Sequence, residues 1–463
     1  MALVASFSGV RGVYGKDLTD SIAVRYAYSY YSFLKSKTKK SNPTIVIGTD
    51  TRPSGFRLRE AVMGILDCNF IDIGIAPTPA IEFAVRNFMA DGGIIITASH
   101  NEPYWNGFKF LGSDGSVLNE NSMKTIIGGV KRLKDFHKIQ ERRIYEKNTE
   151  AMRDYMDFVQ KTAGRDNIEN IRKSDQRVVL DPNGGTGVVA KKLLESIGVR
   201  VVGVNMQYGE FGRSVEPNED SLIYLKKFID DSKSDFAAGF DCDADRLGIV
   251  MENGALLSGN QILALMVDDV LSIQKNQKNK VIVTNNATSG IVKKVAEKFG
   301  ARVKEVEPGE INVINAMDSH KAILGGEGSN GGVIIPPSRC RDGILTIVMV
   351  LSITARRQKK LQELLAKLPK FYTLQKKMDF NEKRHDAIKK SLKNFYSKNG
   401  YEIKENGGIC ASLKALKDDS FVWFRASKTE SGIFRIITDS QKKGQTETLM
   451  GEAVDIFKKA NKQ

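Results

Sequence analysis

Apolar and polar positions along this chain fall into two alternating patterns, short apolar runs of strand length and longer stretches with helical spacing. The stretches VVLDPNGGTGVVAKKLLESIG from Val178 and VIVTNNATSGIVKKVAEKFG from Val281 each read as an apolar strand, a turn of small residues, a glycine and then a helix, with Gly187 and Gly290 aligned. TIVIGTDTRPSGFRLREAVMGIL from Thr44 follows the same plan with its glycine displaced by one position. Strands alternating with helices build βαβ units, so the pattern predicts three successive α/β domains with mainly parallel sheets. Near the C-terminus the pattern changes to a helix in DAIKKSLKNFY, strands in FVWFRAS and GIFRIIT, and a final helix through GEAVDIFKKA, the order of a smaller α+β domain. The expected domains are 1–148, 149–252, 253–366 and 367–463, consistent with a length of 463 residues, more than one hydrophobic core usually supports.

Composition narrows the class. A hydrophobic content of 41% and a charged content of 27% are those of a soluble globular protein. No apolar run approaches the roughly 20 residues a membrane span needs. MALVASFSGVRG lacks the basic start and long apolar centre of a signal peptide, so a cytoplasmic address is expected, with no membrane partner. Cys68, Cys242, Cys340 and Cys410 are far apart and form no C-x-x-C pair, which argues against a disulfide framework and a zinc site. The formal charge is +15, and from Lys367 onward 21 Lys/Arg face 12 Asp/Glu. Without zinc-finger spacing or an aromatic-basic motif, this reads as a lysine-rich solvated surface rather than a nucleic-acid site. A small anionic substrate would suit the same field.

Four loops could carry chemistry. In TASHNEPYWNGFK, Ser99 lies in a turn beyond an apolar strand, where α/β sheets collect ligands. Ser99 could act as a nucleophile, with His100 and Asn101 as polar neighbours and Lys109 as a cation for phosphate or proton exchange; an ordinary turn serine is the alternative. In GFDCDADRLGIV, Asp241, Asp243 and Asp245 repel one another unless a cation or raised pKa values relieve them. Arg246 occupies the position where an EF-hand needs glycine, so three monodentate oxygens with open coordination sites suit Mg²⁺ touching a phosphate better than calcium. In GGEGSNGG, residues 325–332, glycines allow close backbone approach while Glu327, Ser329 and Asn330 can bind hydroxyls, although a flexible turn would read the same way. In RASKTESGIFR, Arg425, Ser427, Thr429 and Arg435 are donors of the kind that hold phosphate, or else part of a polar hairpin.

Three other motifs are excluded. G-x-S-x-G is absent, which disfavours a hydrolase triad. GTGVVA from Gly185 imitates a dinucleotide fingerprint, but the next strand ends VVGVNMQ without the required acid, so Gly187 reads as turn geometry. Walker A spacing is absent as well.

These loops, in this order and one per expected domain, resemble the α-D-phosphohexomutase family over nearly the whole chain. TASHN with NGFK and DCDADR look like its phosphoserine and metal loops, GGEGSNGG and RASKTES like its sugar and phosphate loops, and GVRG like the segment that supplies an arginine. The resemblance implies four domains around a central cleft and an enzyme resting as phosphorylated Ser99. It implies one Mg²⁺ per chain on Ser99, Asp241, Asp243 and Asp245, with Arg11, Lys109, Arg246 and His100 in the catalytic group. Glu327, Ser329 and Asn330 would bind the sugar, and Arg425, Ser427, Thr429 and Arg435 the phosphate not being transferred. The implied reaction interconverts hexose 1- and 6-phosphates of glucose or mannose through a bisphosphorylated sugar, primed by an activator of the glucose 1,6-bisphosphate type, in a monomer or homodimer. Phosphoglucosamine mutase and a non-catalytic sugar-phosphate-binding paralogue are the alternatives. Glu102, Cys242, Ala244, Ala426 and Ser431 depart from the family's usual residues, the sugar loop lacks a terminal histidine, and VEPGEI from Val306 lacks the basic residue that often follows its glycine.

Overall fold

The computed structural model describes residues 3–6, 8–133, 142–274, 280–329, 331–405, 411–427 and 432–462. Four sheets follow one another along them. The first has seven strands in the spatial order Val4–Ser6, Gly9–Val13, Trp105–Leu111, Gly92–Ile96, Thr44–Thr49, Asn69–Ile75 and Arg143–Glu146. The second orders Leu256–Leu257, Leu247–Met251, Phe236–Phe240, Arg177–Asp181 and Arg200–Gly203, and the third Arg302–Val306, Val281–Asn285, Leu324–Gly326 and Val333–Ile334. The fourth is antiparallel throughout: Tyr372–Asp379, Ile433–Ser440, Ser420–Ala426, Leu413–Lys417 and Glu402–Glu405.

Parallel pairing holds at the centre of the first three sheets, where buried runs such as IVIGT and VIVTN lie between helices. The sheets are nevertheless mixed, and the reason bears on function. In each, one strand turns back and pairs antiparallel with its successor: Gly92–Ile96 with Trp105–Leu111, Phe236–Phe240 with Leu247–Met251, and Leu324–Gly326 with Val333–Ile334. Ser420–Ala426 and Ile433–Ser440 do the same in the fourth sheet. A parallel return would need a crossover of a dozen residues or more, so a short connection forces the antiparallel one. The four connections are the four candidate loops.

The helix Gly343–Arg357 lies in the core behind the first three sheets. Its residues from Gly343 through Thr354 are all buried, as expected for a segment apolar around its whole circumference. It packs on the helices Asn148–Ala163 and Arg165–Arg172. One apolar cluster runs from Val46 and Ile95 through Val178 and Phe240 to Leu263 and Ile347, so the first three sheets share a core. The fourth sheet has its own, around Leu392, Tyr396, Phe424 and Phe457.

The anticipated C-terminal helices are His385–Lys398 and Lys443–Lys462. The strand Tyr372–Asp379 is an addition to the expected set; its sequence YTLQKKMD is almost wholly exposed and lacks the apolar alternation that announces a strand. Gly187 sits in a 3₁₀ turn, Thr186–Val188, where a Cβ would lie 2.8 Å from the Phe240 ring. Cys68, Cys242 and Cys340 are free and buried, and Cys410 lies outside the described residues. Among the described residues no helix is long and apolar enough to cross a membrane.

Candidate active site

Ser99 leaves the strand Gly92–Ile96 with φ of +53°, a left-handed conformation that costs a non-glycine residue roughly 1–2 kcal/mol. Buried groups hold it there. Its N–H donates to Thr97 Oγ1 at 2.8 Å, and Arg52 Nη2 donates to its carbonyl at 2.9 Å and also to the carbonyl of Asn101. Arg52 is itself fixed by Asp50 at 2.6 Å, with both side chains sealed from solvent. The kink aims Ser99 Oγ at the second domain, where it donates to Asp241 Oδ2 at 3.2 Å. On the return strand, Lys109 Nζ lies 2.9 Å from Asp243 Oδ2 and 3.0 Å from Asp245 Oδ2. The serine loop and the acidic loop therefore form one site.

Asp241, Asp243 and Asp245 are wholly buried, with ligand atoms all within 4.8 Å of one another. Burial and the neighbouring carboxylates push the Asp241 carboxyl well above its usual range. Burial is the largest influence on Asp243 and Asp245 and would raise both, but Lys109 together with the Thr78 hydroxyl at Asp243, and Lys109 together with Arg341 and Arg246 at Asp245, hold both below their usual range. The same carboxylates keep Lys109 protonated against its own desolvation. Arg11, lowered to about 10 by burial and by Arg246, donates to Asn101 Oδ1 at 3.1 Å. Arg246 bonds Glu216 at 2.9 Å and keeps its Nε 3.9 Å from both Asp241 and Asp245. Burial, Arg246 and Arg11 together depress His100 and leave its ring neutral.

Two oxygens test whether this loop fits a metal: Asp243 Oδ1 and Asp245 Oδ1 are buried without a hydrogen-bond partner. An ionised oxygen orphaned in this way is expensive unless a cation meets it. With three carboxylates and a serine oxygen, the donor set fits a hard divalent ion. Ala244, in the middle of the loop, has φ of +56°, which accounts for the glycine usual at that position.

The glycine-rich loop that follows the strand Leu324–Gly326 lies against this centre. A Cβ at Gly331 would sit 1.9 Å from the carbonyl oxygen of Leu247, and one at Gly332 2.2 Å from that of Asp245, so the glycines permit the loop to pack on the backbone of the acidic loop and the strand after it. Glu327 accepts from Asn285 Nδ2 at 2.7 Å, from the Gly309 N–H at 2.9 Å and from Arg341 Nη1 at 2.7 Å. Ser329 is exposed at the tip, while Asn330 falls outside the described residues. In the fourth domain Arg425 and Arg435 stand directly opposite each other on adjacent antiparallel strands. Two guanidinium groups in that register are of the kind that can hold one anion. Arg435 is among the cations that lower the pKa of the His100 ring. The Ser427 N–H donates to the carbonyl of Ile433 at 2.7 Å, and Thr429 lies outside the described residues.

Residues 5–136, 153–254 and 258–372 match domains I, II and III of the family described as phosphoglucomutase/phosphomannomutase, alpha/beta/alpha. The chain belongs to this family. A protein of Thermococcus kodakarensis named phosphoglucomutase/phosphomannomutase is 34% identical over 98% of both chains. A probable phosphoglucosamine mutase of Pyrococcus abyssi is 31% identical over 98% of both. A phosphoglucomutase/phosphomannomutase family protein from Burkholderia thailandensis, 21% identical, superposes with a TM-score of 0.81 over 99% of this chain and 98% of its own, which shows a shared fold. As a phosphohexomutase the protein is an isomerase that moves phosphate within a sugar.

Four groups at this phosphohexomutase site escape a reading of the loops alone. Thr78 donates to Asp243 Oδ2 at 2.7 Å, and its N–H bonds the Asp243 carbonyl. Arg52 lies in the stretch that the repeat pattern reveals, yet the pattern carries no hint of its grip on Ser99. Glu310 and Arg341 are the others, the first in VEPGEI and the second in SRCRDG. A lone charged residue beside a glycine or an aspartate is a faint signal in sequence. Glu102, which stands where proline is usual, accepts from the Val215 N–H at 3.4 Å and so ties the serine loop to the second domain.

Proposed function

We propose that the protein is a Mg²⁺-dependent phosphohexomutase that interconverts the 1- and 6-phosphates of glucose or mannose through phosphorylated Ser99 and a bisphosphorylated sugar. The contact of Ser99 Oγ with Asp241 at 3.2 Å, beside two carboxylates that share Lys109, supports it most directly. Ser99, Asp241, Asp243 and Asp245 would hold the ion, which supplies Lewis-acid stabilisation of charge on a transferring phosphoryl group. The chain's own residues do the remaining work. Phosphoserine brings a charge of about −1.5 to −2, and Lys109, Arg11 and Arg246 surround it with cations that need no reorganisation. A sugar hydroxyl forms a bond to phosphorus as the bond to Ser99 Oγ breaks, and the hydroxyl proton leaves to a base at the cleft; His100, whose ring is held neutral, is the candidate. Glu327 and Ser329 would bind the sugar's hydroxyls, while Arg425, Ser427 and Arg435 would grip the phosphate that stays on the sugar.

Priming with a hexose bisphosphate should add one phosphate to Ser99, detected by mass spectrometry, and allow conversion of glucose 1-phosphate to glucose 6-phosphate. A chain that takes up no phosphate and converts no hexose phosphate would refute the assignment. The resemblance to the Pyrococcus abyssi protein favours glucosamine phosphate as the second reading. Parallel rates on glucose, mannose and glucosamine phosphates decide between the two.

A further inference from the structure

Asp245 Oδ2 is where three domains meet: Lys109 from the first domain and Arg341 from the third both reach it, each at 3.0 Å. The second arm of the Arg341 fork, Nη1, reaches Glu327 Oε2 at 2.7 Å, so one guanidinium spans the metal loop and the sugar loop. Glu310 holds that guanidinium in place. Its Oε2 accepts the Arg341 N–H at 2.9 Å and lies 3.4 Å from Nε, and both residues are nearly closed to solvent. Glu310 follows Gly309, whose N–H donates to Glu327 Oε1, so the same short stretch fixes Glu327 from its other side.

We infer that Arg341, held by Glu310, is a positioning residue that sets the orientation of Glu327 for hexose binding and locks it to the metal loop. The inference rests on the hexose-phosphate reading above. It also accounts for the missing basic residue after Gly309, because the cation comes from a different loop and an acid occupies the vacated position to hold it. Lysine could not take the role, since one ammonium nitrogen cannot stand at the separate positions from which Nη2, Nη1 and Nε meet Asp245, Glu327 and Glu310.

A double-mutant cycle tests this. With Mg²⁺ and bisphosphate present, Arg341→Lys and Glu327→Gln should each raise the KM for glucose 1-phosphate and the calorimetric Kd for glucose 6-phosphate about tenfold, the scale of one charge-assisted hydrogen bond. The double variant should be no weaker than the worse single, because both changes act through one carboxylate. Two outcomes overturn the inference: single effects that multiply in the double variant, or a lowered melting temperature with Kd unmoved, the signature of a merely structural tie. If Arg341→Lys does not fold, a cycle of Glu310→Gln with Glu327→Gln decides the same question. Wild-type protein that binds hexose phosphate without converting it would refute the mutase reading while leaving the cycle readable from Kd. Wild-type protein that binds none would overturn both.

Discussion

Replacing Lys109 by methionine separates charge from packing, because the two side chains are similar in length and the site is closed. Lys109 is 6% exposed, and the carboxylates it serves are sealed from water. The substitution removes bonds of 2.9 Å and 3.0 Å and leaves Asp243 with the Thr78 hydroxyl and Asp245 with Arg341. Breaking a buried pair by deleting one partner costs about 3–5 kcal/mol, nearly all of it from the carboxylates left behind. A divalent ion can offset part of that cost, since Asp243 Oδ1 and Asp245 Oδ1 are already without hydrogen-bond partners. The variant should therefore bind Mg²⁺ at least about tenfold more tightly than wild type, which returns roughly 1.4 kcal/mol at saturation. Denaturant titrations with and without Mg²⁺, paired with calorimetric Mg²⁺ binding, measure both quantities. If Mg²⁺ affinity is unchanged and the stability loss is the same in both buffers, Lys109 and the metal do not share these charges, and the reading of the acidic loop is wrong.

Arg52→Met should cost about 3–5 kcal/mol through the stranded Asp50 and abolish phosphate uptake at Ser99; denaturation midpoints and mass spectrometry check it, and wild-type values for both would refute the role given to Arg52. Arg425→Met should raise the KM for hexose phosphate several-fold in steady-state kinetics, and an unchanged KM would contradict the place given to it in the phosphate grip. Asp342, which caps the helix Gly343–Arg357 and accepts from the Tyr155 hydroxyl, is pushed up to about 6 by burial. Its folded pKa exceeds the unfolded value, so its contribution is fully present below about pH 4 and is lost as pH rises through about 6. Asp342→Asn, which retains a capping oxygen, should flatten the urea midpoint between those pH values; an unchanged slope would contradict the assignment.

How much of this was legible in the sequence follows from the range of the forces involved. Strand-helix alternation is local, so the three α/β domains could be read from runs such as VVLDPNGG and VIVTNNAT. The acidic loop was legible for a similar reason, because three carboxylates within five residues must be relieved by something nearby. Strand direction was less accessible: the antiparallel returns at Trp105–Leu111, Leu247–Met251 and Val333–Ile334 follow from loop length only once it is known that the next run pairs with the last one. Least legible were Arg52, Thr78, Glu310 and Arg341, whose partners are distant in sequence. Arg341 lies 96 residues from Asp245, and Lys109 lies 136 from it. Lys109 could be suspected because it shares a short motif with Ser99, whereas Arg341 shares none with anything it touches. The sequence motifs mark the groups proposed to meet phosphate, sugar and metal. The cations that hold the loops together across domains acquire their role only when packing brings distant carboxylates to a single guanidinium, and the cost of leaving those carboxylates bare is what fixes them there.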